Sequence, residues 1–170
     1  RDGRTAKVKM RRDCKSRGRK MAIRNIVTEE DGILRKTSRE VTSFDDRLCV
    51  LLDDMAETLK KANGVGLAAP QVGVLRRVFI VDVGQGVIEM INPVILKTSG
   101  RQEKSEGCLS CPGKWGVTIR PKKVRVQYQD RNGKVCALNC EDLLAQAVCH
   151  ENDHLDGVLF TDHVVRWLDE

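Results

Sequence analysis

Apolar residues recur at intervals of three or four between residues 48 and 62, which is the spacing of one face of a helix. The apolar positions are Leu48, Leu51, Leu52, Met55, Leu59 and Ala62. Ser43, with Asp46 three residues later, has the pattern of a helix N-cap, and Asn63 followed by a glycine has that of a C-terminal stop. The pattern therefore predicts a helix of about 19 residues whose apolar stripe packs against a core.

Short runs of apolar or alternating residues follow this helix, and they are typical of β-strands. They lie at residues 78–81, 87–91, 124–128 and 135–138. The first run is continuously apolar, whereas Val124, Val126 and Tyr128 in the third alternate with polar residues, as expected of a half-exposed strand. Glycine-containing turns at residues 84–86 and 130–133 lead into the second and fourth runs.

A second helix is predicted to begin near Glu141 and to end at Gly157. Its apolar positions are Leu143, Leu144, Ala147 and Val148. We also expect a short closing helix over residues 162–168. The chain has no internal repeat, and the order of its elements predicts an α+β fold in which several antiparallel strands pack around one central helix.

The composition is that of one globular domain. The chain has 170 residues, of which 41% are apolar and 32% are charged. It contains no apolar run of the roughly 18 residues that a membrane-spanning helix needs, so we expect no membrane partner. No apolar block follows the basic N-terminus, so we also expect no secretory signal peptide.

The net charge of +6 is concentrated at the N-terminus. Residues 1–20 hold ten Lys or Arg and two Asp, whereas the remaining 150 residues hold 20 basic and 22 acidic side chains. We therefore expect a basic extension at residues 1–20, disordered or left over from cloning, and a single domain at residues 21–170. A mitochondrial transit peptide and an arm that contacts RNA are the alternatives for the extension. Since the body is slightly acidic and the chain has few aromatic residues, we expect no dedicated nucleic-acid-binding domain.

Seven cysteines, an odd number, occur in a chain in which we expect no secretory signal. They lie at positions 14, 49, 108, 111, 136, 140 and 149. This use of cysteine is typical of a reducing compartment, where thiols stay free or bind metal. We therefore expect a cytoplasmic location.

Two of the chain's three histidines lie in the sequence His150-Glu151-Asn152-Asp153-His154. On a helix, residues four positions apart lie on one face, so the two imidazoles can bind one tetrahedral metal ion. Glu151 can then act as a general base toward a water molecule on that metal. The pattern therefore predicts a metal site on the second helix, and two histidines that only pack or form hydrogen bonds are the plainer alternative.

A metal site of this kind needs a third ligand, and the residues leave several candidates. In one zinc-peptidase pattern a third histidine follows, but Phe160 occupies that position, and His163 has a different spacing. A four-cysteine zinc ribbon is another possibility, built from cysteines 108, 111, 136 and 140. Alternatively, Cys108 alone joins the two histidines and leaves the fourth position to water, as catalysis requires.

Residues 64–73, with the sequence GVGLAAPQVG, are too rich in small residues for a regular element. No Lys-Ser or Lys-Thr follows the glycines, so the segment does not fit a phosphate-binding loop. We expect a tight loop whose backbone comes close to a ligand, with Gln71 as its side-chain hydrogen-bonding group. A plain connection between a helix and a strand is the alternative.

Three segments resemble motifs of the peptide deformylase family. Residues 64–71 resemble G-x-G-L-A-A-x-Q, residues 106–110 resemble E-G-C-L-S, and residues 150–154 resemble H-E-x-D-H. The three motifs occur in the family's order, and the similarity extends from about Met21 to the C-terminus. Each motif alone is moderately specific, whereas the three together are highly specific.

The resemblance implies the deformylase α+β fold, with antiparallel sheets around the metal-binding helix in a catalytic domain at residues 21–170. It implies a hydrolase that removes the N-formyl group from the N-terminal methionine of newly synthesised polypeptides and releases formate. Cys108, His150 and His154 would hold one divalent metal ion, Fe²⁺ in the cell, for which Zn²⁺, Ni²⁺ or Co²⁺ can substitute. The partners would be N-formylmethionyl nascent peptides and the ribosome.

The same resemblance implies roles for residues near the metal. Glu151 would be the catalytic base, and the Gln71 side-chain amide and the Leu109 backbone N–H would stabilise the oxyanion. Backbone groups near Gly64 and Gly66 would bind the extended peptide substrate.

The segment around Cys108 carries two further expectations. We hypothesise that Glu106 and Arg120 form an ion pair that orients the Cys108 loop, and two solvated charges are the alternative. Cys111 stands where the family commonly has an aliphatic residue. It therefore places an extra thiol near the metal, which could make the site more prone to oxidation.

Overall fold

The computed structural model describes residues 21–168, so the predicted extension at residues 1–20 lies outside the described part. Within that part the chain forms two α-helices and eight β-strands. The helices are α1 (Asp46–Ala62) and α2 (Asp142–Leu155). The strands are β1 (Gly66–Ala68), β2 (Val78–Val81), β3 (Ile88–Ser99), β4 (Gln102–Cys108), β5 (Cys111–Arg120), β6 (Lys123–Gln129), β7 (Val135–Glu141) and β8 (Val164–Trp167). Among the described helices, none is long and apolar enough to cross a membrane.

The strands form two antiparallel sheets, one in the order β1-β2-β3-β6-β7 and one in the order β4-β5-β8. Helix α2 contacts strands of both sheets, so it occupies the position between them. The prediction of an α+β fold with antiparallel sheets around a central helix is therefore confirmed.

Strand β2 lies between the two helices, which explains why its sequence is continuously apolar. Phe79 and Val81 belong to the cluster that α2 builds, whereas Val78 and Ile80 belong to the cluster that α1 builds. All four side chains are completely buried. Because successive side chains of a strand point to opposite faces, a strand covered on both faces has no polar positions.

Helix α1 has the predicted stripe and the predicted end, but its first residue differs. The helix ends at Ala62, and Asn63 adopts the left-handed conformation with φ 54°. The N-cap is Asp45, not Ser43, because the Asp45 carboxylate accepts a hydrogen bond from the Leu48 N–H at 3.0 Å. The helix therefore has 17 residues, two fewer than predicted.

Strands β4 and β5 had no counterpart in the sequence prediction. Their buried positions include polar side chains, such as Gln102 and Glu106 in β4 and Thr118 in β5, and their other residues are largely exposed. A strand that buries polar side chains lacks the alternation of apolar and polar residues by which strands are predicted. Strands β3 and β7 also extend beyond the predicted runs.

The predicted closing helix at residues 162–168 is wrong. A short 3₁₀ turn, Phe160–His163, is followed by strand β8, which pairs with β5 so that Trp167 lies opposite Gly116. β-Branched Val164 and Val165 favour the extended conformation, and β5 offers an open edge to pair with. Such an edge supplies hydrogen bonds that a helix of two turns would have to form alone.

The segment at residues 64–73 is more regular than predicted. Gly66–Ala68 forms strand β1, which pairs with β2, and Ala69–Val72 forms a 3₁₀ turn. Gly73 ends this turn with φ 83°, a conformation that glycine adopts without strain. The segment is therefore an edge strand followed by a turn, and not an irregular loop.

Candidate metal centre and active site

Helix α2 places both histidines of the predicted motif on its buried side. His150 and His154 are 7% and 1% exposed, and their ring centroids lie 5.1 Å apart. The face is buried because α2 packs between the two sheets. The helical spacing predicted from the sequence therefore brings the two imidazoles together, as expected for residues four positions apart.

Cys108, at the end of β4, reaches the same place. Its Sγ lies 3.4 Å from the His154 Nε2, and the possible ligand atoms of Cys108, His150 and His154 all lie within 4.8 Å of one another. Within residues 21–168, no other group of three possible ligand side chains is this close. This geometry favours Cys108 over the other candidates for a third ligand.

The competing candidates lie elsewhere. Phe160 stacks against His150 with ring centroids 6.1 Å apart, and the His163 Nε2 lies 3.3 Å from an oxygen of Asp153. Cys136 and Cys140 are both on β7, and Cys140 is buried in the core between this sheet and α2. Neither the zinc-peptidase arrangement nor the zinc ribbon is therefore present among the described residues.

The state of the cysteines partly follows the expectation of free thiols. Cysteines 108, 111, 136, 140 and 149 are free. Cys49 is in a disulfide, which departs from the expectation that all thiols are free or bound to metal.

The donor set fits a divalent transition metal. One thiol and two imidazoles are the ligands that Zn²⁺ and related ions bind in three-ligand sites. Burial, together with the neighbouring charge of His150, lowers the pKa of His154 to about 3, which keeps this imidazole neutral with a free electron pair. The His154 Nδ1 is also buried without a hydrogen-bond partner among the described residues.

Glu106 fixes the orientation of His150. Its Oε2 lies 2.8 Å from the His150 Nδ1, which turns the other ring nitrogen toward Cys108 and His154. Burial would raise the pKa of Glu106, but hydrogen bonds from His150 and Arg120 keep it well below its usual range. Burial would likewise lower the pKa of His150, but the hydrogen bond to Glu106 raises it.

The predicted ion pair of Glu106 and Arg120 is present and buried. The Arg120 Nη2 and Nε donate to the two Glu106 oxygens at 2.7 and 3.1 Å, and the Nη1 donates to Asp153 at 2.6 Å. Glu106 also contacts His150, and the orientation of the Cys108 loop by this pair stays a prediction. Thr118 and Gln146 also donate to Glu106, at 3.0 and 3.3 Å. The sequence carried no signal for these two contacts, because isolated polar residues on a strand or a helix are usually solvated.

Glu151 lies beside the two histidines in a dry position. It is 3% exposed, its Oε1 is 3.7 Å from the His150 Nε2, and its Oε2 has no hydrogen-bond partner among the described residues. Burial raises the pKa of Glu151 to about 7, against the opposing influence of the His150 charge. A carboxylate with a pKa near neutrality is suited to accept and return a proton at physiological pH.

Gln71 points its amide group toward the thiol. Its Oε1 accepts a hydrogen bond from the Ala68 N–H at 2.9 Å, which fixes the amide orientation. The Nε2 then donates to the Ser110 Oγ at 3.0 Å and lies 3.5 Å from the Cys108 Sγ. The sequence did not indicate the contact with Ser110. Strand β1 and the turn after it thus place a side-chain donor at the edge of the candidate metal centre.

The two glycines of the first motif allow other residues to approach. A Cβ on Gly66 would lie 2.9 Å from the Cγ and the Oε1 of Glu151, closer than real Cβ contacts allow. A Cβ on Gly64 would lie 2.9 Å from the Leu109 Cδ1 and 3.0 Å from the Leu59 Cδ1. Gly66 therefore leaves the space in which Glu151 lies, whereas at Gly64 the close atoms are the ends of leucine side chains that can shift.

A cavity of about 440 Å³ opens onto these residues. Its lining comes from residues 62–66, 105–109, 111–115, 143, 146–147 and 150–151. Cys108, His150 and Glu151 lie in its wall, as do Gly64, Gly66 and Leu109. The volume falls within the range of cavities that bind small molecules or short peptides.

Comparison with known proteins agrees with the three motifs. Residues 23–169 match the sequence model of the polypeptide deformylase family. A peptide deformylase from Caldicellulosiruptor bescii is 57% identical over 150 residues, which cover 88% of this chain and 90% of that protein. One from Acetivibrio thermocellus is 55% identical over 150 residues and covers 88% of each chain.

Solved structures show the same relationship. The crystal structure of a peptide deformylase from Legionella pneumophila has a TM-score of 0.82 and 42% identity, over 84% of this chain and 86% of that one. The structure from Synechococcus elongatus in complex with actinonin has a TM-score of 0.81 and 38% identity, over 85% of this chain and 80% of that one. The chain therefore belongs to the peptide deformylase family, whose members are metal-dependent hydrolases that remove the N-formyl group from newly synthesised polypeptides.

Proposed function

We propose that this chain hydrolyses N-formylmethionyl peptides at a divalent metal ion held by Cys108, His150 and His154, with Glu151 as the general base. The observation that carries the proposal is the convergence of three possible ligand atoms within 4.8 Å beside a buried carboxylate. When bound, the metal ion would supply Lewis-acid polarisation of the formyl carbonyl and of the attacking water.

Glu151 moves the proton. Its buried carboxylate accepts a proton from the attacking water and then returns this proton to the amine that leaves as formate is released. Gly66 leaves the space in which this side chain lies. The raised pKa of Glu151, about 7, supports both steps, because the group can be charged when it accepts the proton and gives it up readily afterwards.

Gln71 and Leu109 stabilise the negative charge that develops on the formyl oxygen. The Gln71 Nε2 already points toward Cys108, and Leu109 lies in the cavity wall next to Cys108. Donors fixed before the reaction are worth about 3–4 kcal/mol of transition-state stabilisation each. The assignment of the Leu109 N–H rests on the family resemblance.

The peptide substrate binds along β1. This strand is at the edge of the five-stranded sheet, so its outer side can pair with an extended peptide in the manner of an added strand. Gly66 begins this strand, Gly64 lies two residues before it, and both line the cavity. The backbone near these glycines would therefore align the formyl group with Cys108 and Glu151.

We further propose Fe²⁺ as the metal in the cell, with Zn²⁺, Ni²⁺ or Co²⁺ able to replace it. A set of one thiolate and two imidazoles can bind all four ions, so the availability of each metal in the cell contributes to the choice. Protein purified without oxygen, with its metal counted by mass spectrometry, tests this proposal.

The ribosome as a partner and the cytoplasm as the location are proposals that rest on the family resemblance. The free thiols at five positions support a reducing compartment, whereas the disulfide at Cys49 runs against it. Co-sedimentation of the protein with ribosomes and fractionation of the source cells are the two tests.

Glu151→Gln is the decisive substitution, because it keeps the shape of the side chain and removes its basicity. We expect formate release from a short formyl-methionyl peptide to fall by about 10²–10⁴-fold, while the protein keeps about one metal ion per chain. The measurement is a formate assay on metal-loaded protein with metal content determined on the same sample.

Glu103→Gln is the matched control, since Glu103 is an exposed carboxylate on β4 that pairs with Arg101. Its activity should equal that of the unchanged protein. If Glu151→Gln kept full activity, the assignment of the base would be wrong even though the family membership would stand.

A further inference from the structure

A two-residue turn joins the strands that carry Cys108 and Cys111. Cys108 ends β4, Cys111 begins β5, and the two residues are ladder partners, although the register of the ladder shifts between Gly107 and Cys108. Directly opposed residues have Cα atoms about 4.5–5.5 Å apart and project their side chains from the same face. A disulfide joins residues whose Cα atoms lie about 4.4–6.8 Å apart. The hairpin therefore already holds the two cysteines at a separation that a disulfide can span.

Both thiols are free and both line the cavity. They are also neighbours, since Cys108 and Cys111 pair across the two-residue turn. Cys111 is only 1% exposed, whereas Cys108 is partly exposed. A small oxidant that enters the cavity therefore meets Cys108 first, and the thiol of its ladder partner Cys111 lies next to it.

We propose that, in the absence of bound metal, Cys108 and Cys111 form a reversible disulfide in which Cys111 resolves the first oxidation product of Cys108. The link to metal rests on the proposed role of Cys108 as a ligand, but formation of the disulfide does not. The chemical class of the oxidant is a hydroperoxide.

The steps balance as follows for hydrogen peroxide. The Cys108 sulfur attacks one peroxide oxygen, the O–O bond breaks, and the thiol proton leaves with the departing hydroxide as water, which gives a sulfenic acid. The Cys111 sulfur then attacks the Cys108 sulfur, the S–O bond breaks, and the Cys111 proton leaves with the hydroxyl group as a second water. The two sulfurs together lose two electrons, and the peroxide gains them.

The disulfide protects Cys108 from irreversible oxidation and also prevents it from binding metal. A sulfenic acid without a nearby thiol is oxidised further to sulfinic and sulfonic acids, which common thiol reductants do not restore. Capture by Cys111 stops this progression at a state that a thiol reverses. While the disulfide lasts, Cys108 has no thiolate to offer, so metal binding is lost and returns on reduction.

Mass spectrometry of the full chain tests the proposal directly. Protein stripped of metal with a chelator is treated with hydrogen peroxide, alkylated and digested with trypsin, which cleaves after Lys104 and Lys114 and releases both cysteines in the peptide 105–114. We expect this peptide to be two hydrogen atoms lighter and without alkyl groups. A Zn²⁺-loaded sample treated in parallel should form the disulfide more slowly.

Three variants complete the experiment. In Cys111→Ala, and in Cys111→Val should the alanine variant fold poorly, we expect Cys108 to gain two or three oxygen atoms under the same treatment. After reduction with dithiothreitol the unchanged protein should recover Zn²⁺ binding, whereas these variants should not. Cys136→Ser, which removes a half-buried thiol on β7, should behave like the unchanged protein.

Oxidation of Cys108 to sulfinic or sulfonic acid in the unchanged protein as readily as in Cys111→Ala would overturn the proposal. The mass of the peptide depends on neither metal nor activity. Failure of the proposed metal site would instead be seen as fully reduced, folded protein that binds no Zn²⁺.

Discussion

Glu106 links helix α2 to a buried arginine through both oxygens of its carboxylate. One oxygen contacts the His150 Nδ1, and both accept hydrogen bonds from Arg120. Arg120 in turn donates to Asp153, one residue before His154. One cation therefore braces the helix at two places next to the two histidines.

Arg120→Met removes this charge while keeping a side chain of similar length. We expect the free energy of unfolding of the metal-free protein to fall by about 3–5 kcal/mol, because the Glu106 carboxylate is left buried without its cation. We also expect Zn²⁺ affinity to fall by about 10–100-fold, since His150 loses its fixed orientation. Urea unfolding and competition with a chelator measure the two effects.

Arg101→Met is the matched control, because Arg101 forms an exposed pair with Glu103 in the same sheet. An exposed pair contributes little, so we expect changes below about 1 kcal/mol and unchanged Zn²⁺ affinity. If both substitutions lowered the free energy of unfolding and the Zn²⁺ affinity equally, the burial of Arg120 would not explain its contribution.

At the scale of elements, the sequence predicted the helices and strands whose buried residues recur at regular intervals along the chain. Helices α1 and α2 and strands β2 and β6 bury apolar stripes or alternating positions, so their existence could be predicted and their limits only approximately. Strands β4 and β5 bury polar side chains that serve the site, and β8 exists because β5 offers an edge. Elements that depend on partners distant in the sequence leave no local pattern.

The sequence predicted more of the candidate site than of the three-stranded sheet on which Cys108 lies. His150, His154 and Glu151 were identified from the spacing of their donor types, whereas Cys108 was one of several candidates until the family resemblance favoured it. The contacts of Thr118, Gln146 and Ser110 could not be predicted, since common polar residues gain these roles only through the fold.

The contact between β1 and α2 depends on the lack of a side chain at Gly66. In Gly66→Ala the new Cβ would lie 2.9 Å from the Glu151 Cγ, so the Glu151 side chain or one of the two elements has to move. We expect activity to fall by about 10²-fold, because displacement of a catalytic group by about 1 Å has a cost of this size. Steady-state assays of formate release on metal-loaded protein measure this loss of activity.

Gly32→Ala serves as the control for this substitution. Gly32 has no atom within 4 Å of an added Cβ and no positive φ, so the alanine variant should keep the activity of the unchanged protein. Unimpaired activity of Gly66→Ala would indicate that Glu151 tolerates another position.

At the scale of the whole molecule, the proposed centre connects the two sheets. Cys108 belongs to the three-stranded sheet, Gln71 follows the edge of the five-stranded sheet, and the histidines belong to the helix between them. An ion that binds only this assembled arrangement stabilises the folded state as a whole.

Removal of the metal should therefore lower the unfolding temperature. At a free Zn²⁺ concentration of roughly 1,000 times Kd the stabilisation is about 4 kcal/mol, which corresponds to on the order of 10 °C for a domain of this size. Calorimetry of chelator-treated and Zn²⁺-loaded protein measures the difference. Cys108→Ser should show little shift on addition of Zn²⁺, and a full shift in that variant would exclude Cys108 as a ligand.

The order of the proposed donors along the chain determines when the centre can form during synthesis. Cys108 precedes His154 by 46 positions, and Glu151 lies in the same late segment as the histidines. A polypeptide that has not yet been extended through α2 carries one of the three donors and no base. During its own translation this enzyme is therefore inactive until α2 has been made and has folded against both sheets, although its substrates are themselves chains that are being made. A metal ion can therefore be held by all three proposed donors only after the chain has been made through α2.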